Sequence, residues 1–209
     1  MKRLALLGAS GHGKVVADAA LSSGWASVVF FDDAWPKCNR NGAWSILGNA
    51  AQLMARLEEF QGVLVSIGDC PVRWEKHREL FAAGAPLTTV VHPAATVSRY
   101  ARLGAGTVVM AGAVVAIDAI VGQAAIINNG ATVDHDCRIA DAVHIAPGAN
   151  LSGGVEIGRC SWVGVGATVR QGIHIGEQVV VGAGAVVVRP VPDGCTVVGN
   201  PARTMRIGK

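Results

Sequence analysis

The chain has 209 residues, which is room for one large domain or two small ones. Only 16% of the residues are charged, the formal net charge is +3, and no Lys/Arg run or aromatic–basic interleaving occurs, which argues against nucleic acid as a partner. The five cysteines form no C-x-x-C pair, which favours a reduced cytosolic protein over a disulfide framework or a zinc site. The apolar run after Arg3 stops at Gly8, too early for a signal peptide, and no segment predicts a membrane span. We therefore expect a cytoplasmic protein with no membrane partner.

The first 90 residues alternate between predicted strands and predicted helices. The strands are predicted at 3–7, 27–31, 62–67 and 88–91, and the helices at 14–23, 49–60 and 71–83. This alternation is typical of a small parallel α/β unit. We therefore predict a Rossmann-like βαβ domain over residues 1–90, followed almost without a linker by a second domain over residues 91–209.

A glycine-rich loop follows the first predicted strand, with the sequence Gly8-Ala9-Ser10-Gly11-His12-Gly13-Lys14-Val15. It nearly matches the P-loop, but Val15 stands where that pattern needs a hydroxyl, so an NTPase is disfavoured. Glycines at a helix N-terminus let backbone N–H groups approach phosphate, and Asp32 and Asp33 stand at a strand end where α/β sheets place a carboxylate on a ribose or base. The loop taken alone fits a structural turn equally well. An oxidoreductase is disfavoured because the single short sheet has no second half.

Residues 91–187 carry a repeat with a period of six. Seventeen positions spaced six residues apart, from Val91 to Val187, are all Val, Ile or Leu, and the residue four places later is small at 12 of them. A period of six fits neither an α-helix nor a flat strand, but it fits short strands separated by sharp turns. We predict that the aliphatic residue points inward, that the small residue fills a tight interior, and that successive coils stack at the strand spacing of ~4.8 Å.

The repeat resembles that of the hexapeptide-repeat acyltransferases. The tail, Val198-Gly199-Asn200-Pro201-Ala202-Arg203, is similar to the G-x-P-A-[KR] segment that closes this family. The resemblance implies an all-β left-handed parallel β-helix with three hexapeptides to a coil, and between five and six coils over residues 91–192. It also implies a homotrimer with acyl-CoA in the groove between neighbouring coils. Outward-facing apolar residues such as Val108 and Val114 agree with a face buried between subunits.

Polar residues interrupt the apolar repeat most densely between residues 126 and 137. Acyl transfer from a thioester needs a general base with a near-neutral pKa, and His135 stands two residues after an inward position, where a substrate could reach it. Asp136 could accept the Nδ1–H of His135 if a turn brings the two adjacent side chains together, and Asp134 is the second candidate for this role. A thiol nucleophile is disfavoured because Cys137 falls at an inward position.

The order of motifs resembles one subgroup over the whole chain: the bacterial nucleotide-amino-sugar N-acetyltransferases of the bacillosamine and perosamine pathways, with the related sialic acid O-acetyltransferases. The motifs are G-A-S-G-H-G at 8–13, F-F-D-D at 30–33, S-I-G-D at 66–69 and H-P at 92–93. In the resembled family the base stands at His135 and an acidic residue follows it. The resemblance implies contacts with the nucleotide-linked sugar at Ser10, Gly11, His12, Asp32, Asp33 and Gly68.

The same resemblance implies the contacts with acetyl-CoA. His144 would contact the coenzyme, the backbone of Val165 and Ala183 would contact its pantetheine arm, and Gly153 is a candidate backbone donor to the oxyanion. No metal is expected, because acyl transfer needs none and the spacing matches no standard site. The other histidines after the loop are expected to be structural or solvated: His77, His92 and His174.

We therefore predict an acetyl-CoA-dependent N-acetyltransferase that acts on the amine of a nucleotide-linked amino sugar by direct transfer, without an acyl-enzyme. Two alternatives stay open. One is an O-acetyltransferase that acts on sialic acid or a related sugar. The other is a non-catalytic β-helix, either a scaffold or a carbonic-anhydrase-like protein, which would call for three suitably spaced metal-ligating histidines that the coils lack.

Overall fold

The computed structural model describes residues 2–205, so the last four residues of the predicted second domain lie outside it. The chain divides after Pro93 into two compact units. The first unit contains three helices and the second consists of short strands.

The first unit is built on a parallel sheet with helices between its strands. The sheet has the order β2–β1–β5, and β1 pairs in parallel with both neighbours. Its elements are β1 (Arg3–Leu7), α1 (Gly11–Ser22), β2 (Ser27–Phe31), β3 (Arg40–Asn41), β4 (Trp44–Ser45), α2 (Ala50–Met54), a 3₁₀ helix (Leu57–Glu59), β5 (Gly62–Val65), α3 (Cys70–Ala82) and β6 (Val90–Val91).

The carboxyl ends of β1, β2 and β5 carry the loops that contain the residues predicted to contact the nucleotide-linked sugar. The strands are almost wholly buried because helices cover them, as expected for a parallel sheet. Phe31, Leu53 and Phe60 belong to one core cluster beside the sheet. The predicted α/β unit is confirmed.

Three predicted elements differ from the observed ones. The first helix begins at Gly11 rather than at residue 14. The prediction placed its start too late because the first turn contains Gly11 and Gly13, and glycine is a weak helix former. The predicted helix at 49–60 ends at Met54, and the chain continues as a 3₁₀ turn after Arg56, whose backbone is not helical. The fourth strand is reduced to Val90–Val91 and lies outside the three-stranded sheet. Just before it, Leu87 forms an isolated parallel bridge with Val63 of β5.

The second unit is a parallel β-helix, as predicted, and six strands stack on its first face. Its strands, nearly all of two residues, are β7 (Thr96–Val97), β8 (Arg102–Leu103), β9 (Val108–Val109), β10 (Val114–Val115), β11 (Ile120–Val121), β12 (Ile126–Ile127), β13 (Thr132–Val133), β14 (Arg138–Ile139), β15 (His144–Ile145), β16 (Asn150–Leu151), β17 (Glu156–Ile157), β18 (Trp162–Val163), β19 (Thr168–Val169), β20 (His174–Ile175), β21 (Val180–Val181), β22 (Val186–Val187), β23 (Thr196–Val198) and β24 (Arg203–Thr204).

Every third strand lies on the same face of the coil. The first face runs β7–β10–β13–β16–β19–β22, the second β8–β11–β14–β17–β20, and the third continues from β9 through β12, β15, β18 and β21 to β23 and β24. From β7 to β22 each strand residue therefore stacks on the residue 18 positions later, as Thr132 does on Asn150, whereas Val180 in the last coil pairs with Thr196. This register turns the six-residue period of the sequence into vertical columns of side chains.

The predicted inward positions are confirmed by their burial. From Val109 to Val187 every aliphatic residue at the six-residue step is buried, and the first three, in the first coil, are half-buried. On the exterior, Val114 is 37% exposed, as an outward residue should be. Val108 is not: its side chain is only 1% exposed, so the prediction that it contributes to an open apolar face is wrong.

Candidate active site

His135 and Asp136 form the turn that connects β13 to β14. The imidazole of His135 is 58% exposed, and its Nδ1 lies 2.7 Å from Oδ2 of Asp136. Asp136 has φ of +59°, a left-handed conformation that Asp tolerates better than most residues. This conformation brings its carboxylate beside the ring of the preceding residue. Asp134 makes a different contact, since its Oδ1 accepts a hydrogen bond from the backbone N–H of His135 at 2.7 Å.

The two carboxylates raise the pKa of His135 above its ordinary value of 6.5. The hydrogen bond that the ring donates to Asp136 is the larger cause, and the negative charge of Asp134 adds to it. With Nδ1–H donating to Asp136, Nε2 carries the lone pair of the neutral ring. A neutral imidazole with raised basicity is suited to take a proton from an attacking amine or hydroxyl.

The thiol closest in sequence to this turn is not a competing nucleophile. Cys137 is buried, and its Sγ donates to the backbone oxygen of Ser152 at 3.3 Å. Burial raises the pKa of this thiol above its usual range, so the reactive thiolate is disfavoured. The chemistry of this turn therefore rests on the imidazole.

Gly153 lies one coil after His135, at the equivalent turn position. The backbone N–H of Gly154 donates to the carbonyl oxygen of His135 at 2.9 Å, which ties the two turns together. A Cβ placed on Gly153 would lie 2.5 Å from both Cε1 and Nε2 of the imidazole. The ring of His135 therefore lies directly against the Gly153 backbone.

Of the residues predicted to bind acetyl-CoA, Gly153 lies beside His135, and the other three lie elsewhere on the coil. His144 is in β15 on the third face, where its Nε2 lies 3.1 Å from Nδ2 of Asn128 and its ring meets Trp162 edge-on. Val165 and Ala183 are exposed turn residues one coil apart, and the N–H of Gly184 donates to the carbonyl of Val165 at 2.8 Å. These turns connect the third face to the first.

Within one chain, His135 and the turn residues Val165 and Ala183 therefore occupy different edges of the triangular coil. His135 and Gly153 lie on the edge between the first and second faces, whereas Val165 and Ala183 lie on the edge between the third and first faces. The β-helix of one chain brings together His135, Asp136 and Gly153. It does not bring His135 to the Val165 edge.

A pocket of about 290 Å³ opens at the carboxyl ends of the strands of the first unit. Ligands of open α/β sheets bind at this end of the strands. The N-terminus of α1 begins here, with Ser10 as its N-cap and Gly11 as its first residue. The pocket is lined by Leu7, Gly8, Ala9, Ser10, Asp32, Asp33, Ile67 and Lys76.

The two aspartates of this pocket are bonded to backbone N–H groups. Oδ2 of Asp32 accepts from Ala9 at 2.6 Å, and Oδ1 accepts from Ala34 at 2.9 Å. Oδ1 of Asp33 accepts from the N–H of Ala50, the first residue of α2, at 3.0 Å. Asp32 thus fixes the glycine-rich loop, and Asp33 caps the next helix.

His12 and Gly68 both lie near the buried side chain of Arg73. The guanidinium of Arg73 is 1% exposed and donates to the carbonyls of Ile67 and Gly68 at 2.9 and 2.8 Å, which fixes the chain after β5. Burial, with a smaller effect of the Arg73 charge, lowers the pKa of His12 to about 4. His12 is therefore neutral at pH 7. Neither His12 nor Gly68 is among the residues that line the pocket.

Lys76 is a pocket residue that the sequence motifs did not indicate. It lies on α3, one turn after Arg73, and its Nζ is 2.9 Å from Oε2 of Glu79. Its ammonium group is the only cationic side chain among the residues that line this pocket. The sequence contained one signal for Lys76: it stands three residues after Arg73 on a predicted helix, so the two residues share a side of that helix. The helix follows the carboxyl end of a predicted strand, where ligands of α/β sheets bind.

Two further features of residues 2–205 bear on the class of protein. They contain no group of three or more His, Cys, Asp and Glu side chains arranged to hold a metal ion. None of their helices has the length and apolar character that crossing a bilayer requires.

The comparisons with known proteins agree with a hexapeptide-repeat acyltransferase. Residues 3–80 match the PglD N-terminal domain. The acetyltransferase domain of PglB from Neisseria gonorrhoeae FA1090 is 41% identical and superposes with a TM-score of 0.93, over 98% of this chain and 100% of that one. A structure of that domain contains acetyl coenzyme A. No curated protein gives a significant match.

A second similar structure is PerB from Caulobacter crescentus, solved in complex with CoA and GDP-perosamine. It is 36% identical and superposes with a TM-score of 0.93, over 99% of this chain and 98% of that one. WeeI from Acinetobacter baumannii AYE is 27% identical with a TM-score of 0.84, over 98% and 100% of the two chains. The chain belongs to the hexapeptide-repeat family of sugar N-acetyltransferases that carry a PglD-type N-terminal domain.

Proposed function

We propose that this protein transfers the acetyl group of acetyl-CoA to the amine of a nucleotide-linked amino sugar, with His135 as the general base. The observation that carries the proposal is the exposed imidazole of His135, bonded through Nδ1 to Asp136 at 2.7 Å. Similar enzymes have been solved with acetyl coenzyme A, or with CoA and GDP-perosamine, which supports this class of substrates.

The proposed reaction is a direct transfer. The neutral amine of the sugar attacks the thioester carbonyl carbon, the C–N bond forms, and Nε2 of His135 takes the amine proton. The backbone N–H of Gly153 is proposed to stabilise the oxyanion, which fits its position beside the ring of His135. The C–S bond then breaks and CoA leaves as the thiolate. Asp136 holds the ring in the tautomer that keeps the lone pair on Nε2.

The first unit is proposed to bind the nucleotide part of the acceptor in its 290 Å³ pocket. The backbone N–H groups at the start of α1, near Ser10 and Gly11, would face phosphate oxygens, and Lys76 would supply a positive charge. Asp32 would act mainly by fixing the loop at Ala9. Asp33 would keep one carboxylate oxygen for a donor on the ligand, since its other oxygen caps α2. His12, in the first turn of α1, and Gly68, in the loop after β5, are proposed to complete this site beside Arg73.

A homotrimer is proposed because one chain cannot assemble the whole site. The base edge, at His135 and Gly153, and the proposed coenzyme edge, at Val165 and Ala183, lie on different edges of the coil. In a closed ring of three parallel coils, the base edge of one subunit meets the coenzyme edge of the next. His144 would then contact the coenzyme from the third face. We also propose a cytoplasmic location, which suits five cysteines that form no disulfide.

The proposal is tested by following thiol release from acetyl-CoA with a panel of acceptors. The panel contains nucleotide-linked 4-amino sugars, the same nucleotides with hydroxyl-only sugars, and free sialic acid. We expect release only with the amino sugars, and a product that resists mild alkaline hydrolysis, as an amide does and an acetate ester does not. An alkali-labile product formed from sialic acid would contradict the proposal and assign O-acetylation. No release with any acceptor would favour a scaffold.

A further inference from the structure

The imidazole of His135 occupies space that a side chain at position 153 would need. The three atoms nearest to a Cβ on Gly153 are Cε1, Nε2 and Cδ2 of His135, at 2.5, 2.5 and 3.1 Å. All three belong to the ring, whereas backbone atoms are nearest for a coil glycine such as Gly158. A side chain at 153 would therefore collide with the ring before it met the backbone.

The turn itself does not require glycine at position 153. The turns at 135–136, 153–154 and 171–172 occupy equivalent positions in three successive coils. In each turn the left-handed residue is the second one: Asp136, Gly154 and Gly172 have φ of +59°, +69° and +65°. Gly153 precedes that residue and is not among those with positive φ. The position equivalent to 153 carries a full side chain in the coil before His135 and in the coil after Gly153, where it is Ile117 and Gln171.

We infer that Gly153 is a positioning residue for His135: its lack of a side chain lets the Cε1–Nε2 edge of the ring rest on the next coil while Nδ1 bonds Asp136. The inference rests on the proposed function, in which Nε2 of this ring takes the proton. It is separate from the oxyanion role proposed for the Gly153 N–H, because alanine at this position would keep that N–H.

Two contacts hold an otherwise exposed side chain: Nδ1 bonds Asp136, and the Cε1–Nε2 edge lies against Gly153. Without a surface beneath it, an imidazole that is 58% exposed and has one hydrogen bond would sample several rotamers. The substitution Gly153→Ala would push the ring outward, and the 2.7 Å bond to Asp136 would be weakened or lost. Because the ring is at the end of an exposed side chain, it can move at little cost to the fold. A displacement of about 1 Å at a catalytic group can lower turnover by on the order of 10²-fold.

The test compares Gly153→Ala with Gly158→Ala. A Cβ at Gly158 would lie 2.5 Å from the backbone of Gly176 and Glu177, and position 158 also lacks a positive φ. We expect Gly153→Ala to keep the wild-type Tm and to lose on the order of 10²-fold in kcat, with the KM for acetyl-CoA nearly unchanged. We expect Gly158→Ala to lower Tm. If Gly153→Ala lowers Tm as much as Gly158→Ala, the glycine has a packing role and the inference is wrong.

The pKa of the His135 imidazole can be measured directly by NMR titration of the substrate-free protein. The His135 signal is assigned as the one that disappears in His135→Ala. The pKa of His135 should fall in Gly153→Ala, because the bond to Asp136 that raises it is disturbed. An unchanged pKa would overturn the inference whatever reaction the enzyme performs.

A double-mutant cycle then separates the two proposals. If Gly153 acts through the ring, Gly153→Ala should have almost no effect on the residual rate of His135→Ala. A full 10²-fold loss on that background would show that Gly153 acts independently of His135. Wild-type turnover by His135→Ala would instead show that His135 is not the general base. That result concerns the proposed function alone, because the positioning of the ring by Gly153 is tested separately by the pKa of His135.

Discussion

The side chains of His135 and Asp136 are hydrogen-bonded at 2.7 Å although the two residues are adjacent in sequence. Adjacent residues of a strand point to opposite faces, which would keep an imidazole and the next carboxylate apart. Here the left-handed conformation of Asp136, with φ of +59°, turns its carboxylate toward the ring. One turn of the β-helix therefore supplies both the proposed base and the group that orients it.

Replacing Asp136 by Asn should shift the pH dependence of the reaction. Asn tolerates the left-handed conformation, so the turn should survive. Asp136 raises the pKa of His135, and activity needs the neutral ring, so wild-type kcat/KM should rise with pH through a value above 6.5. In Asp136→Asn that pKa falls, and the acidic limb should move to lower pH, with a smaller rate loss than in His135→Ala.

The matched control for this shift is Asp134→Asn. Asp134 bonds the backbone N–H of His135 and raises the ring pKa only through its charge. Its replacement should move the acidic limb less than Asp136→Asn does. A limb that stays in place in Asp136→Asn but moves in Asp134→Asn would assign the orienting role to Asp134.

The β-helix could be predicted from the sequence because an aliphatic residue recurs at every sixth position from Val91 to Val187. Each inward aliphatic residue repeats the same packing demand, so the burial of the aliphatic positions from Val109 to Val187, on all three faces, follows without knowledge of distant contacts. The turn at His135 and Asp136 could be located for the same reason, since its phase in the repeat is fixed.

Features that depend on tertiary contacts could not be predicted in this way. Helical spacing from Arg73 places Lys76 on the same side of α3, but its position in the pocket also depends on the packing of α3 beside β5, which is a tertiary contact. Val108 has the phase of an outward residue, but its side chain is only 1% exposed, which the period of the repeat does not predict. The contact of Gly153 with the His135 ring depends on the 18-residue stacking of the coils and on the rotamer of the histidine.

Lys76→Met should weaken binding of the sugar nucleotide. The substitution keeps an unbranched side chain that is one atom shorter, and it removes the only positive charge among the described residues that line the pocket. We expect the KM for the sugar nucleotide to rise about tenfold, the usual size of one charge-assisted contact, while the KM for acetyl-CoA stays unchanged. Lys37→Met, at an exposed position outside the pocket lining, serves as the control and should change neither constant.

Asp32→Ala should also raise the KM for the sugar nucleotide, but by loosening the loop. Both carboxylate oxygens of Asp32 accept backbone N–H groups, from Ala9 and Ala34, so its loss frees the loop that would face the phosphates. Hydrogen exchange at Ala9 should increase in this variant and stay unchanged in Lys76→Met. An equal rise in KM for both substrates would indicate that the first unit has only a structural role.

His12 should make the protein less stable at acidic pH. Its pKa is about 4 in the folded state, against an ordinary value of 6.5, mainly because it is buried. As pH falls from 6.5 towards 4, the unfolded chain binds a proton that the folded protein does not, so stability should fall over this window. Thermal unfolding of His12→Gln between pH 4 and 7 should show a smaller loss than wild type. His174→Gln, at an exposed site, should behave as wild type.

Mixed trimers test whether the site is shared between subunits. Neither a His135→Ala chain nor a chain with its coenzyme edge blocked by Val165→Trp should be active alone. Co-expressed as mixed trimers, they should recover up to about one third of wild-type activity, because one interface of three then combines an intact base edge with an intact coenzyme edge. Absence of any recovery in isolated mixed trimers would mean that each chain carries a complete site.

The most direct test of the account is the single-turnover rate of acetyl transfer in His135→Ala, measured with both substrates saturating. The side chain is exposed and its loss leaves no cavity, so circular dichroism and Tm should match the wild-type protein. We predict that the rate falls by about 10²–10⁴-fold, the usual contribution of a general base. A folded His135→Ala protein that transfers acetyl groups at close to the wild-type rate would contradict the account.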